Sequence, residues 1–308
     1  MIELDWWKNV IAADIYATLK QREHEIPQFH CQSLKLWSRR HLVDWLSVIV
    51  EQLHIDPMAQ HLSVYLLDYF LDKMDVEHCH LYLLAMTCLR LAIKFEESCD
   101  KVPRQATLNA FIPKTCTSAL HGYTPDEFLS MELTVLKFHK WQLAVPTSAH
   151  FLPYFLTIAA DEGDLHNGVP IISKQIMCQY IEKHAKYFME ISLQDHTFRD
   201  YMPSLVASAC IAAARICLLL TPTWPKHMML LSDYYLEELL PCLQLMLSTH
   251  RMDKVNQVAQ TSQVVPFTSS IPCTPCLPYQ GAFIDYTNHR NSVVLAGAPA
   301  LISHQLLR

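Results

Sequence analysis

The chain has 308 residues, of which 51% are apolar and 18% are charged, and its formal net charge is −6. This composition predicts a globular protein with a large core and excludes a disordered chain, and the negative charge argues against nucleic acid as a direct partner. The sequence contains only five glycines, and because β-rich folds need glycine in turns and bulges, their scarcity favours an all-α fold.

The cysteines, the N-terminal residues and the most apolar stretch predict a protein of a reducing compartment that is neither secreted nor inserted in a membrane. Eleven cysteines, an odd number, are scattered through apolar segments, which favours reduced thiols over disulfide bonds. The N-terminus carries acids where a signal peptide needs bases. The most apolar stretch, residues 205–220, is short and is interrupted by Arg215, so we expect no membrane partner.

The first predicted helices follow an N-terminal helix and lead-in at residues 1–30. Apolar residues recur at helical spacing over 42–53, and Asp56-Pro57 is typical of an N-cap followed by a first-turn proline. A third helix at 79–95 is apolar on almost all faces, which predicts a position at the centre of a bundle. The sequence at 124–127 (Thr-Pro-Asp-Glu) predicts the start of a further helix through a capping box.

A second set of helices is predicted after a break at residues 144–147. We expect these helices at about 148–160, 171–190, 203–220 and 227–248. The alanine-rich and leucine-rich helix at 203–220 resembles the one at 79–95 in character, which indicates two bundles of similar architecture.

The sequence therefore predicts two tandem five-helix bundles, preceded by an N-terminal helix and followed by a flexible tail. The tail is rich in proline, serine and threonine and lacks sustained periodicity. The expected boundaries are 1–30 for the lead-in, 31–146 and 147–252 for the two bundles, and 253–308 for the tail.

One alternative is an all-helical metal-dependent enzyme. Asp68, Asp72 and Asp75 lie on one side of a predicted helix, and spaced carboxylates could hold magnesium. No matching acidic cluster occurs elsewhere, and Lys73 lies among them, so a solvated helix end is the preferred interpretation.

Two cysteine-containing segments hold residues that can bind metal ions. On an α-helix, adjacent residues diverge by about 100°, so His78 and Cys79 are not expected to converge on one ion. Cys273 and Cys276 form a single pair without a second pair at zinc-site spacing. We therefore expect no catalytic residues, no metal site and no cofactor.

Four charged residues stand within apolar segments and call for an explanation. They are Asp44, Asp68, Lys94 and Glu132. Because a buried charge is costly unless it is paired, each should either reach solvent or meet another of the charges.

These charged residues lie in segments that resemble the cyclin family. Residues 39–46 (Arg-Arg-His-Leu-Val-Asp-Trp-Leu) resemble the first helix of the cyclin box, and residues 92–97 (Ala-Ile-Lys-Phe-Glu-Glu) resemble its Ala-Ser-Lys-Phe-Glu-Glu segment. Residues 131–133 (Met-Glu-Leu) and 141–147 (Trp-Gln-Leu-Ala-Val-Pro-Thr) resemble the fifth helix and the linker to a second box. Their order and separation match the family, and the resemblance covers about residues 5–250.

The resemblance implies a non-catalytic regulatory subunit that binds a cyclin-dependent kinase catalytic subunit. The implied kinase-binding residues are Lys94 and Glu132, which match a charged pair, with Phe95, Leu136, Trp141, Leu143 and Ile15 around them. Arg39 and Asp68 match internal ion pairs of the box.

The implied mechanism is a population shift in the kinase. A cyclin binds the kinase conformation whose regulatory helix is rotated inward, which completes the Lys–Glu pair needed for phosphoryl transfer. The implied role is in cell-cycle control, and the implied location is the nucleus and cytoplasm.

Kinase substrates are a further possible partner. Leu42 and Trp45 match a substrate-docking patch, but Ser38 stands where substrate-recruiting cyclins carry methionine. This departure weakens the expected docking. The remaining alternative is a cyclin-fold adaptor or transcription factor that does not activate a kinase.

Overall fold

The computed structural model describes residues 2, 5–30, 36–113 and 122–261. Within these ranges, only the backbone is described at 36–37 and 253–261. In these ranges, the helices are α1 (Val10–Glu23), α2 (Leu36–Leu53), α3 (Pro57–Lys73), α4 (Leu81–Glu96), α5 (Gln105–Asn109), α6 (Pro125–Phe138), α7 (Ser148–Leu156), α8 (Lys174–Gln194), α9 (Pro203–Cys217), α10 (Lys226–Ser232) and α11 (Leu236–Thr261). Short 3-10 helices lie at Trp6–Lys8, His78–His80, Cys99–Lys101 and His196–Asp200. The predicted all-α fold is confirmed.

The first bundle consists of α2–α6 and has α4 at its centre. Nearly every residue of α4 between Leu81 and Ile93 is buried, as its apolar sequence predicts. The Asp56 carboxylate accepts a hydrogen bond from the Met58 N–H and begins α3. At the start of α6, Thr124 and Glu127 form the predicted capping box.

The second bundle consists of α7–α11 and has α9 at its centre. Its core is separate from that of the first bundle and extends to Trp6, which packs against Tyr154 with a ring-centroid distance of 4.8 Å. The Arg215 side chain lies fully inside this bundle, paired with Asp164 at 2.6 Å. The two bundles therefore repeat one architecture around different polar contacts.

The second bundle differs from the sequence prediction in two elements. The helix predicted at 227–248 is broken into α10 and α11, because Asp233 adopts a left-handed conformation with φ of 62°. In addition, β1 (Leu165–His166) pairs antiparallel with both β2 (Val169–Pro170) and β3 (Leu220–Thr221).

The last helix of the second bundle extends into the segment that the sequence predicts to be a flexible tail. Helix α11 continues to Thr261, beyond the expected boundary at residue 252. The rest of the predicted tail, 262–308, lies outside the described residues. Across the part of the chain that is described, no helix combines the length and the apolar character needed to cross a bilayer.

A buried arginine of α2 makes one of the polar contacts between the two bundles. The Arg39 guanidinium donates to both carboxylate oxygens of Asp68, at 2.6 and 2.9 Å. It also donates to the main-chain carbonyls of Leu193 and Gln194 at the end of α8, each at 2.9 Å. One side chain thus closes the first bundle and fixes it against the second.

The N-terminal helix α1 is attached to the second bundle. The buried Glu23 carboxylate accepts hydrogen bonds from the Ser204 N–H at 3.0 Å and the Ser204 hydroxyl at 2.8 Å. The Tyr16 hydroxyl donates to the Leu231 carbonyl at 2.8 Å. Because Glu23 caps the first turn of α9, the position of α1 is set by the second bundle.

Candidate functional site

The candidate site is centred on a charged pair between α4 and α6. The Lys94 ammonium donates to one carboxylate oxygen of Glu132 at 2.6 Å, and Arg90 donates to the other oxygen at 3.4 Å. Arg90 and Lys94 are four residues apart and so project from the same face of α4. Glu132 therefore bridges two cations that are one helical turn apart.

The charged pair is accessible to a partner. The side chains of Lys94 and Glu132 are 37% and 14% exposed. An ammonium carries three N–H donors and only one points to Glu132, so Lys94 can donate to a second molecule without leaving its pair. Lys94 also lies in the last turn of α4, where the helix dipole favours a cation.

Exposed apolar side chains lie on the two helices that carry the pair and just after α6. Phe95 on α4, Leu129 and Leu133 on α6, and Trp141 after α6 are 47%, 57%, 40% and 64% exposed. Large apolar side chains that cluster on a surface are typical of an interaction site. We call the surface formed by Lys94, Glu132, Phe95, Leu129, Leu133 and Trp141 the Lys94–Glu132 surface.

Two of the residues implied to bind a kinase are largely covered by the fold. Leu136 is only 8% exposed because it turns from α6 into the first core. Leu143 is half-buried and packs against the same core. Both side chains support the surface from beneath, and Leu129 and Leu133 occupy the outer face of α6 instead.

The exposure of Trp141 follows from an unusual backbone. Lys140 and Trp141 both have positive φ, at 52° and 62°. The Trp141 N–H donates to the Leu136 carbonyl at 2.9 Å, which ends α6 in a tight turn. Left-handed backbone costs about 1–2 kcal/mol for residues other than glycine, so this presentation of the indole is maintained at an energetic cost.

A groove of about 270 Å³ continues the surface toward α1. It is lined by Ile15 and Arg22 of α1, Phe95 and Glu96 of α4, and His150 of α7 among others. Ile15 is 48% exposed. The structure therefore brings Ile15 to the same side of the molecule as Phe95, although α1 is attached to the second bundle.

The expected ion pair of Arg39 and Asp68 lies inside the molecule. Both side chains are at most 3% exposed, and Arg199 approaches the same carboxylate at 3.9 Å. Tyr65 packs against the Arg199 guanidinium, 4.6 Å from the ring centroid. This cluster supports the fold and is not accessible to a partner.

The expected substrate-docking patch is not on the surface. Leu42 is 1% exposed and Trp45 is 4% exposed. The Trp45 indole N–H donates to the Phe111 carbonyl at 3.0 Å, and the Tyr82 ring packs edge-on against the indole. A substrate motif could reach Trp45 only if the segment at Phe111 moved, so the docking interpretation is not supported here.

The magnesium alternative is contradicted by the contacts of its carboxylates. Asp68 is bound by Arg39, and Asp72 pairs with Lys73 at 3.1 Å. Asp75 follows the end of α3, so it does not extend the row of carboxylates along the helix. Both helical carboxylates are already neutralised by cations.

Arg90, Leu129 and Leu133 are not among the site residues predicted from the sequence. Arg90 is detectable from its spacing of four residues to Lys94, and the leucines from their spacing around Glu132. The signal is weak because the same spacing also describes a core face. Only the packing shows which face of α6 is turned outward.

The two helical bundles, joined by a short linker and carrying a charged pair on the first, define a class of two-box helical proteins. The chain belongs to the cyclin family. The family model described as cyclin, N-terminal domain, matches residues 14–144, and the model described as cyclin, C-terminal domain, matches residues 146–266.

Similar proteins place the chain near one branch of that family. It is 39% identical to Cyclin-J of Xenopus laevis over 276 residues, covering 88% of this chain and 71% of the relative. It is 37% identical to a Cyclin-J-like protein of Mus musculus, covering 87% and 70%. Residues 5–7 (Asp-Trp-Trp) and 221–225 (Thr-Pro-Thr-Trp-Pro) resemble cyclin J in particular, and these relatives confirm that resemblance.

A solved structure supports the fold. The viral cyclin of herpesvirus saimiri superposes with a TM-score of 0.57 at 17% identity, covering 77% of this chain and 93% of that protein. At that identity the likeness concerns the architecture alone.

Proposed function

We propose that this protein is a regulatory subunit that binds the catalytic subunit of a cyclin-dependent serine/threonine kinase and switches it on. The observation that carries the proposal is the accessible Lys94–Glu132 pair, framed by exposed apolar side chains, in a member of the cyclin family. The chain would contribute binding free energy and no catalytic group.

The Lys94–Glu132 surface has the chemistry of a helix-binding site. Phe95, Leu129, Leu133 and Trp141 can cover the apolar face of an amphipathic helix, and aromatic anchors of this kind carry much of the energy of interfaces. The remaining donors of Lys94 can meet main-chain carbonyls of the partner, and Glu132 can accept from its N–H groups. A polar centre fixes the position of the bound helix.

Activation would follow from differential binding. A partner that binds only the active kinase conformation shifts the population toward it by as much as its affinities for the two conformations differ. Moving an equilibrium from 1:99 to 99:1 requires about 5.5 kcal/mol of such a difference. Two or three anchors worth about 2 kcal/mol each can supply this amount.

The test is charge reversal at each member of the pair. Lys94→Glu and Glu132→Lys are each expected to reduce co-purification of the kinase subunit from cells by at least tenfold and to remove the accompanying kinase activity. In the double variant K94E/E132K the pair is restored with opposite polarity, and the carboxylate introduced at position 94 also lies one helical turn from Arg90, which loses its contact to Glu132. The double variant should regain thermal stability but not kinase binding, because the partner still meets the wrong charges.

The matched control is the exposed pair of Lys186 and Glu182 on α8, at 2.7 Å in the second bundle. Reversals at Lys186 or Glu182 should leave kinase binding unchanged. Normal kinase binding by both Lys94→Glu and Glu132→Lys would rule out the assigned surface. Binding of a kinase without any gain in its activity would favour the adaptor alternative.

A further inference from the structure

The connection between α3 and α4 brings three potential metal ligands together. Its last residues form the 3-10 helix His78–His80, and Glu77 is the N-cap of that helix. One ligand atom each of Glu77, Cys79 and His80 lies within 4.8 Å of the other two. The Cys79 thiol already donates to a Glu77 carboxylate oxygen, at 3.6 Å.

The convergence follows from the type of helix. In a 3-10 helix there are three residues per turn, so side chains three positions apart eclipse each other. Glu77 precedes this helix and is joined to it by a hydrogen bond from the His80 N–H to the Glu77 carbonyl at 2.9 Å, and Cys79 lies next to His80. On an α-helix, the step of about 100° between neighbours would keep His78 and Cys79 from binding one ion. That spacing does not exclude a site made of Glu77, Cys79 and His80.

We propose that Glu77, Cys79 and His80 form a binding site for a divalent zinc-like ion. A thiolate, an imidazole and a carboxylate are the donors that zinc accepts, whereas magnesium and calcium prefer oxygen ligands alone. Three protein ligands leave a fourth tetrahedral position for water. The two anionic ligands would neutralise the dication.

The distances are compatible with this geometry after small side-chain rotations. With bonds of about 2.0–2.3 Å, the ligand atoms of a tetrahedral site are separated by about 3.3–3.7 Å. The present limit of 4.8 Å must therefore contract by about 1 Å. Glu77 is exposed and Cys79 and His80 are half-buried, so an ion can enter from solvent.

Metal binding would replace one contact and retain another. The Cys79 thiol would release its proton to solvent, and the resulting thiolate would bind the ion in place of the hydrogen bond to Glu77. The Tyr123 hydroxyl donates to the Cys79 carbonyl at 2.6 Å, which fixes the backbone of the site on the segment preceding α6. The bound ion would therefore clamp the start of α4.

The site is independent of the proposed kinase surface. Lys94 lies thirteen residues after the first residue of α4, which corresponds to about 20 Å along the helix. Failure of the metal proposal would therefore leave the proposed function unaffected.

The experiment is a cobalt(II) titration of the full chain after metal removal, under reducing conditions. We expect a near-ultraviolet charge-transfer band from a single thiolate, and visible bands typical of tetrahedral cobalt. Both should saturate at one ion per chain and be abolished by excess zinc. Cys79→Ser should abolish the charge-transfer band, and His80→Ala and Glu77→Gln should weaken binding at least tenfold.

Three control variants separate this site from other ligands. His78→Ala and Cys99→Ser, which alter a neighbouring histidine and an exposed thiol outside the cluster, should bind cobalt as the unmodified chain does. The same holds for C273S/C276S, whose cysteines lie outside the described residues. Loss of the signal in C273S/C276S, or its persistence in both Cys79→Ser and His80→Ala, would overturn the proposal.

A second measurement does not depend on spectroscopy. Ligand binding to the folded state raises the melting temperature, so zinc should raise it in the unmodified chain and not in Cys79→Ser. If zinc raised both melting temperatures equally, the site would have to lie elsewhere.

Discussion

The two bundles place a cation at the same position and use it differently. Lys94 and Arg215 are each the third-last residue of the central helix of their bundle, α4 and α9. Lys94 makes one short contact to Glu132 and is partly exposed. Arg215 is fully buried, and its five N–H groups go to Asp164 and the carbonyls of Ala159, Pro222 and Thr223.

The difference follows from the chemistry of the two side chains. A guanidinium has five donors in a fixed plane and can satisfy several acceptors inside a core, whereas an ammonium is a compact charge on a flexible stem. A fully satisfied buried cation has nothing left to offer a partner. One architecture therefore supports a structural role in the second bundle and leaves an accessible cation in the first.

The largest expected effect comes from breaking the buried cluster. Arg215→Lys cannot reach all four acceptor residues and leaves the Asp164 carboxylate poorly compensated, so we expect a loss of about 3–5 kcal/mol in the free energy of unfolding. Lys94→Met should cost less than about 1 kcal/mol, because its pair is partly solvated. Thermal unfolding of both variants checks this, and equal melting temperatures would contradict the comparison.

A second prediction concerns Glu190, a half-buried residue whose carboxyl group lies between the bundles. The neutral side chains of Gln60, at 3.1 Å, and Ser47 face it, with Glu51 nearby. Burial raises the pKa of Glu190 to about 7 from an ordinary value of 4.5; the hydrogen bonds with Gln60 and Ser47 lower it by less, and the charge of Glu51 adds a smaller increase. The folded state therefore holds a proton that the unfolded state releases between these values.

The sign of the pH dependence follows from this raised pKa. Glu190 stabilises the fold below about pH 4.5, and the stabilisation is lost as the pH rises through about 7. Glu190→Gln cannot ionise, so it should match the unmodified chain at low pH and exceed its stability by roughly 3 kcal/mol at pH 8. Denaturant unfolding at pH 5 and pH 8 measures the difference. A benefit that is the same at both values would exclude an ionised Glu190.

A buried histidine provides an internal reference for that measurement. Burial lowers the pKa of His61 to about 3, so the fold loses stability as the pH falls below about 6.5, the ordinary value. In Glu190→Gln, the loss of stability that His61 causes as the pH falls should be the same as in the unmodified chain. The two effects oppose each other and can be separated in one pH series.

The third prediction tests how the second bundle positions α1. Glu23→Gln removes the charge that caps α9 and pairs with Lys20 at 3.0 Å, and it should cost about 2 kcal/mol. Hydrogen exchange should accelerate in α1 while α4 stays protected, and kinase binding should weaken because Ile15 shifts. Glu25→Gln changes an exposed neighbour and is the control. If hydrogen exchange in α1 were equally fast in Glu23→Gln and Glu25→Gln, Glu23 would not anchor α1 to the second bundle.

The central helices and the charged pair could be predicted because their signals are local or strong. Helix α4 is apolar on nearly every face, and Lys94 and Glu132 stand out as charges between apolar neighbours. The attachment of α1 to the second bundle could not be predicted. It depends on the contact between Glu23 and Ser204, which are 181 residues apart in the chain.

Two further features could not be predicted from the sequence, for related reasons. The break at Asp233 is a left-handed residue within an otherwise helical pattern, and its neighbours give no glycine or proline signal. The group of Glu77, Cys79 and His80 depends on a 3-10 turn, whereas α-helical spacing is the basis of the sequence prediction at this position. Where a side chain meets a distant residue, or where the helix type changes, periodicity alone is insufficient.

The smallest expected effect concerns the backbone that exposes Trp141. Lys140 has φ of 52° and an exposed side chain, so glycine can adopt its conformation without the steric cost. Glycine also has more entropy in the unfolded chain, which offsets part of this benefit. Lys140→Gly should therefore raise the free energy of unfolding by about 0.5–1 kcal/mol in total. Denaturant unfolding measures this change. Asp233→Gly is the matched variant in the second bundle, with φ of 62°. Aspartate tolerates left-handed backbone better than lysine, so its gain should be smaller. A larger gain at Asp233 would mean that the left-handed turn at Lys140 and Trp141 carries no special strain at the binding surface.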